Sequence, residues 1–152
     1  MRLKNFLKLV FSIAICQIVG IGGAFFTSPA VSSVWYKSLA KPFLNPPSWI
    51  FSPVWITLYV LMGISLYLVL KYRSLVVLFF VHLLFNGLWS IVFFGLKNPF
   101  LAFLNLVVLW ILILILIFRF YKVRKVAGLL LIPYLIWVSF AGYLNYSFWI
   151  LN

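Results

Sequence analysis

Residues 75–96 read LVVLFFVHLLFNGLWSIVFFGL, a segment without Lys, Arg, Asp or Glu. A stretch that long and that apolar constrains the fold more than any motif in the chain. At a rise of ~1.5 Å per residue, ~20 apolar residues carry one helix across the ~30 Å hydrocarbon core of a bilayer. Residues 9–26, 49–70, 99–118 and 126–151 meet the same requirement. The hydrophobic share of the chain is 67%, against ~45–50% in a soluble domain, which is more than one buried core absorbs. The connections at residues 71–74 and 97–98 are short enough to force antiparallel neighbours. The expected fold is an all-α integral membrane protein, one domain over residues 1–152 built as a five-transmembrane-helix bundle.

The charge inventory narrows the chemistry. The chain has 12 Lys and Arg and no Asp or Glu. No carboxylate pair can perform general acid–base work, and no intramembrane acid can relay protons as in pumps. A net charge of +12 would by itself suit a nucleic-acid binder. The cations instead punctuate the ends of the apolar runs, so the expected partner is the lipid bilayer and not a nucleic acid. Arg2, Lys4, Lys8, Lys71, Arg73, Arg119, Lys122, Arg124 and Lys125 fall on one side, and Lys37, Lys41 and Lys97 on the other. An excess of cations marks the cytoplasmic side, so the N-terminus is expected in the cytoplasm and the C-terminus outside. Cys16 is the single cysteine, without an intrachain disulfide partner, and its apolar setting favours a packing role. Residues 9–26 outrun the ~7–15-residue apolar core of a signal peptide. Ile15 is bulky where lipoprotein processing takes a small residue. The first run is therefore expected to be a retained membrane helix.

The connection at residues 27–48 is out of proportion to the others. Loops of that length without secondary structure are usually functional or disordered. This one carries Trp35, Tyr36, Leu39, Phe43 and Leu44, which require an apolar partner, so it is expected to pack as a lid on the mouth of the bundle. The stretch SSVWYKSL predicts a short amphipathic helix capped by Ser32 or Ser33. Pro42, Pro46 and Pro47 stiffen the return to the second run.

Gln17, Thr57, Ser65, His82, Asn86, Ser90, Asn105 and Asn145 are polar groups inside the apolar runs. His82, Asn86, Ser90 and Phe93 recur at helical spacing and form one partly polar stripe. Two readings fit it: interhelical hydrogen bonds of ~0.6 kcal/mol each, or the few polar groups of an apolar ligand pocket. Trp55 and Tyr59 form an i, i+4 pair, and Pro133, Trp137, Ala141 and Asn145 share a face of the last run. Trp35, Trp49, Trp110 and Trp149 suit interface anchors, whereas Trp55 and Trp137 lie deeper. A single buried histidine such as His82 reads as a packing residue ahead of a haem-iron ligand, and no metal site is expected. Gly20 and Ala24 form a small-xxx-small pair suited to a homodimer or to an intrachain contact.

The order of these features resembles the tryptophan-rich sensory protein and translocator protein (TspO/MBR) family. The matching residues are Trp35-Tyr36, Leu39, Lys41-Pro42, Pro46-Pro47, Trp49, Phe51, Pro53-Val54-Trp55, Leu58-Tyr59 and Met62-Gly63. They continue through Asn86, Trp89-Ser90 and Phe93-Phe94, and end with Pro133-Tyr134, Trp137, Phe140-Ala141 and Leu144-Asn145. The resemblance implies a five-helix receptor-like bundle, usually a homodimer, with a pocket beneath the first long loop for a porphyrin such as protoporphyrin IX or haem. Carried over by position, Trp55, Asn86 and Trp137 would line that pocket, joined by Tyr36, Pro46, Phe93 and Ala141. No cofactor is required beyond the ligand itself, whose propionates Lys37 or Lys41 would meet. In some bacterial members the tryptophans matching Trp55 and Trp137 are linked to light-dependent porphyrin degradation, so these two would be the catalytic candidates if the chain is an enzyme. Passive transport of a porphyrin or another small hydrophobic molecule is a further alternative.

Two departures stand out. Many members carry an aromatic residue where this chain has Leu44, with Phe43 as the neighbouring substitute. RFYKV at residues 119–123 fits the reversed cholesterol motif, but the forward motif is missing near the C-terminus, so sterol recognition is not carried over. The predicted orientation and the lack of a targeting extension favour a bacterial inner membrane.

Overall fold

A computed structural model describes residues 3–152; Arg2, one of the cations counted above, lies outside the described residues. Five helical segments are long and apolar enough to cross a membrane, as the runs predict: Leu3–Val31, Ser48–Val69, Arg73–Gly95, Pro99–Val123 and Lys125–Leu151. In chain order the α-helices are α1 (Leu3–Val31), α2 (Val34–Ser38), α3 (Phe51–Val69), α4 (Arg73–Ser90), α5 (Pro99–Val123), α6 (Lys125–Leu129) and α7 (Ile132–Leu151).

The first helix is longer than its apolar run at both ends. Lys4 and Lys8 sit within α1 and are exposed, because a lysine stem can lie along apolar surface with its ammonium in water. The helix also runs through Pro29 and ends at Val31, close enough to its terminus that the missing amide disrupts little beyond it. The lid is correspondingly shorter than residues 27–48. Ser33 caps α2, its Oγ accepting from the Tyr36 amide at 3.2 Å. After Pro42, which is buried, the chain returns through a single turn of 3-10 helix, Ser48–Ile50, into α3.

Two breaks depart from plain helices. At the end of α4 the backbone widens into one π turn, Ile91–Gly95, where the Leu96 amide donates to the Ile91 carbonyl at 2.9 Å. Lys97 then takes φ 52°, the left-handed region, and the Asn98 amide reaches back to the Val92 carbonyl at 3.2 Å. Asn98 also caps α5, its Oδ1 accepting from the Leu101 amide at 3.0 Å, with Pro99 in the first turn. The second break divides the last span. Pro133 occupies the first turn of α7, where its missing N–H is not needed, and the last span is divided just before it into α6 and α7.

The helices α1 and α3 pack face to face, α1 also meets α4, and α5 packs on α4 and α7. Cys16, Met62, Phe79, Ile113, Phe120, Tyr134 and Val138 are in the resulting core. Phe11, Ile18, Phe25, Leu84, Phe118 and Ile136 remain exposed on the outside, as lipid-facing positions require. The small residues of α1 and α3 set the spacing. A Cβ on Gly63 would lie 2.4 Å from Ile13 Cα, and one on Gly20 2.4 Å from the Tyr59 ring. Gly20 thus serves an intrachain contact, while Ala24 is exposed.

Gly63→Ala is expected to lower thermal stability in detergent by about 2 kcal/mol, because the backbone of Ile13 must move. A Cβ on Gly22 would meet nothing within 4 Å, so Gly22→Ala leaves stability unchanged or raises it by up to about 1 kcal/mol. Equal unfolding midpoints for the two variants would refute this account of the α1–α3 contact.

Candidate ligand site

Inside a bilayer a polar side chain must find its partner within the protein, and the asparagines of this chain do so across helices. Asn86 on α4 accepts from the Tyr59 hydroxyl of α3 at 2.7 Å and donates through Nδ2 to the Tyr134 hydroxyl of α7 at 2.8 Å. Asn145 on α7 accepts from Trp89 Nε1 of α4 at 2.8 Å and donates to the Pro99 carbonyl of α5 at 2.7 Å. Gln17 joins α1 to α3 through the Ile56 carbonyl at 3.0 Å, and Asn105 joins α5 to α4 through the Phe85 carbonyl at 2.9 Å. Ser65 donates across to the Ala127 carbonyl of α6 at 2.8 Å. For the polar stripe of α4, the interhelical reading therefore holds at Asn86. Its amide still has one N–H and one lone pair beyond these two bonds.

The aromatic residues divide into two neighbourhoods. Trp55 stacks on Tyr59 with centroids 5.5 Å apart and meets Tyr134 edge-on at 6.3 Å. Trp137, also half-buried against the main core, meets Phe51 edge-on at 5.9 Å. Phe51 and Trp55 lie one turn apart on α3, so Trp137 approaches the face that carries Trp55. Ala141 packs against the same core, half-buried. The indole Nε1 of Trp137 is buried and has no acceptor among the described residues.

The second neighbourhood lies beneath the lid. The π turn at the end of α4 carries Phe93 and Phe94, both buried. Phe93 stacks on Trp89 at 5.4 Å and meets Trp35 at 6.0 Å. Tyr36 sits between Phe94 and Phe148, at 5.8 and 5.9 Å. Lys41 covers the other side of Tyr36, its Nζ 3.5 Å from the ring centroid, and donates to the Tyr36 carbonyl. Burial pushes the Tyr36 phenol above its ordinary pKa and holds the Lys41 ammonium below its own. The end of α7 ties the lid down: Asn152 Oδ1 accepts from the Ala40 amide at 2.8 Å. Pro46 is half-buried on the return path. Phe43 does not replace the missing aromatic at Leu44, because Phe43 is 96% exposed and Leu44 is 55% exposed.

The structure thus brings Trp55 and Asn86 together through Tyr59 and Tyr134, and Tyr36 and Phe93 together through Phe94 and Phe148. Trp137 and Ala141 join the first group. Two open cavities lie elsewhere than under the lid. One, about 420 Å³, is an apolar groove between α1 and α4 with Val19, Gly23 and Gly87 in its wall. The other, about 390 Å³, is at the opposite end of the bundle. His82 is fully buried, bonds the Phe79 carbonyl through Nδ1 and packs against Phe79 and Tyr134. Tyr134 and Phe51 were not among the expected site residues. Tyr134, Val138, Asn145 and Phe148, all buried, repeat at helical spacing, and that period in the sequence could have singled out Tyr134.

The profile of the TspO/MBR family matches residues 12–150. The chain belongs to the TspO/MBR family. It is 43% identical to the tryptophan-rich protein TspO of Chlorobaculum tepidum, with 98% of each chain covered. The tryptophan-rich sensory protein of Cereibacter sphaeroides is 36% identical, over 78% of this chain and 77% of its own. The translocator protein of Bos taurus is 37% identical, over 76% of this chain and 73% of its own.

If Asn86 is the cross-link between α3, α4 and α7, Asn86→Leu strands two buried hydroxyls and lowers stability by about 1–3 kcal/mol. Tyr134→Phe removes one bond and costs about 1 kcal/mol. Thermal unfolding of the two variants and of the double variant in detergent checks this: the effects should fall short of additive.

Proposed function

We propose that this membrane protein is a sensory, ligand-binding member of its family and that its ligand is a tetrapyrrole such as protoporphyrin IX or haem. The observation that carries the reading is the Trp137 indole N–H, a buried donor without an acceptor. Such a group costs free energy unless something accepts from it, and a propionate or carbonyl oxygen of a ligand would. The Trp137 ring meets Phe51, which lies one turn from Trp55 on α3, and these aromatic faces are surfaces against which a flat macrocycle can stack, each pair adding ~0.5–1.5 kcal/mol beyond area burial. Lys37, Lys41 and Lys97 stand near the lid with no carboxylate side chain anywhere in the chain to neutralise them, which favours an anionic ligand. The relatives named as sensory and translocator proteins fit the same role.

Titrating the detergent-solubilised protein with protoporphyrin IX should quench tryptophan emission. Trp137→Phe keeps the stacking surface and removes only the donor, so the expected loss is about tenfold in Kd. Trp149→Phe, whose ring packs on Phe100 and Phe103, should bind as the unaltered chain does. Equal affinities for all three would remove Trp137 from the site.

The same proposal places the protein in a bacterial inner membrane with the cation-rich end in the cytoplasm. Supporting this, Lys8, Lys71 and Arg124 line one cavity at one end, while Lys41 and Lys97 lie against Tyr36 and Trp35 at the other. A phosphatase fused after Asn152 is expected to be active outside the cytoplasm; an active cytoplasmic reporter at that position reverses the topology.

A further inference from the structure

At the end of the bundle away from the lid, Lys8 of α1, Lys71 of the α3–α4 turn and Arg124 of the α5–α6 junction line one cavity of about 390 Å³, together with Asn5, Tyr67 and Tyr72. That volume lies within the ~300–1,000 Å³ typical of small-ligand sites. The three cations come from three separate points of the chain, and local backbone geometry delivers each of them. Arg124 stands in extended conformation between α5 and α6, its amide held by the Phe120 carbonyl at 2.8 Å. Lys71 lies in a tight turn closed by the Tyr72 amide on the Val69 carbonyl at 2.9 Å, with its Nζ over the Tyr72 ring. Lys8 is one of the exposed lysines by which α1 overruns its apolar segment.

Cations that only orient helices can point separately into water. These three, all exposed, line a single concavity together with an asparagine and two tyrosines. The chain contains no Asp or Glu, so no side-chain carboxylate of this sequence can balance them. The counter-charge must come from outside the chain. Leu68 and Val123 continue the wall of the cavity as apolar surface, the arrangement that a charged head on an acyl chain would meet.

We propose that this cavity is a binding site for a phosphate-bearing anion. Arg124 supplies a planar fork that matches two phosphate oxygens, and the lysines act as point charges. Basic pockets between membrane helices at the cytoplasmic surface bind phospholipid head groups in this way. The same chemistry would also accept free phosphate.

Native mass spectrometry of the delipidated full chain separates the two sources, using phosphatidylglycerol, phosphatidylcholine and inorganic phosphate as probes. Phosphatidylglycerol is expected to be retained about tenfold better than phosphatidylcholine, with charge contacts of ~1 kcal/mol each. The triple variant Lys8→Gln, Lys71→Gln, Arg124→Gln should lose that preference. The variant Arg73→Gln, Lys122→Gln, Lys125→Gln removes the same charge from the same end outside the cavity and should keep it. If inorganic phosphate forms the adduct and displaces the lipid, the site stands and its occupant is the free anion. If the two triple variants lose the preference equally, the attraction is a diffuse surface effect and the site is refuted. Absence of both a lipid preference and a phosphate adduct in the unaltered chain refutes it without any variant. Should the first triple variant fail to fold, the exposed single change Lys71→Gln carries the comparison against Lys125→Gln, with an expected loss of about fivefold.

Discussion

A bilayer offers no hydrogen bonds to a side chain in its interior, so polar residues within a span take partners from the protein, from their own helix as at Ser12 and Thr57 or from a neighbouring one. In this protein the answer converges on Asn86. By accepting from Tyr59 and donating to Tyr134 it joins α3, α4 and α7 at one level. Asn145 does the same for α4, α5 and α7 nearer the lid, and Gln17 attaches α1 to α3. Individual bonds of this kind are weak. Their effect is to fix rotation: Asn86 reaches both phenols only if α3 and α7 each turn one particular face inward. That choice also brings Trp55, already stacked on Tyr59, against Tyr134, so the candidate ligand surface and the scaffold that holds it share residues.

The absence of carboxylates acts at the two ends rather than in the middle. Without Asp or Glu the chain cannot pair its cations internally, so they use aromatic faces and backbone carbonyls instead. Lys41 lies over Tyr36 and donates to its carbonyl, Lys97 lies toward Trp35, and Lys71 over Tyr72. Cation–π contacts of ~0.5–1 kcal/mol at exposed sites leave most of each charge available. Both ends therefore carry cations without side-chain counter-charges, set against an aromatic lid at one end and a polar cavity at the other.

The sequence was most legible where physics is local. The membrane runs follow from length and apolarity, the Ser33 cap from residue type, and the Trp55–Tyr59 stack from i, i+4 spacing. Three features were not legible. The apolar run of α1 stops short of its helix because snorkelling lysines look like a boundary in sequence. The π turn at Ile91–Gly95 needs one extra residue in a single turn, and no residue type there announces it; Lys97, a non-glycine at positive φ, absorbs the consequence. Asn86 was visible as a polar residue on an inward stripe, but its partners depend on interhelical register, which no single-helix period carries. Phe51 became a neighbour of Trp137 for the same reason.

Register also couples the lid to the bundle. The residue that holds the lid backbone, Asn152, and the one that wedges its tyrosine, Phe148, are both at the end of the polypeptide. Phe148 lies on α7, the same helix that carries Trp137, Ala141 and the Tyr134 hydroxyl bonded to Asn86. Lifting the lid must release the Ala40–Asn152 pair and withdraw Tyr36 from between Phe94 and Phe148. Phe94 lies buried within the π turn, a distortion that recurs at functional sites. The lid is thus clamped by the two elements, α7 and the widened end of α4, that also carry most of the candidate ligand surface. Trp137 packs on Phe51 and Phe140 and Phe148 on Tyr36 and Phe93, so what the two positions share is α7 itself, and a link between them runs along that helix.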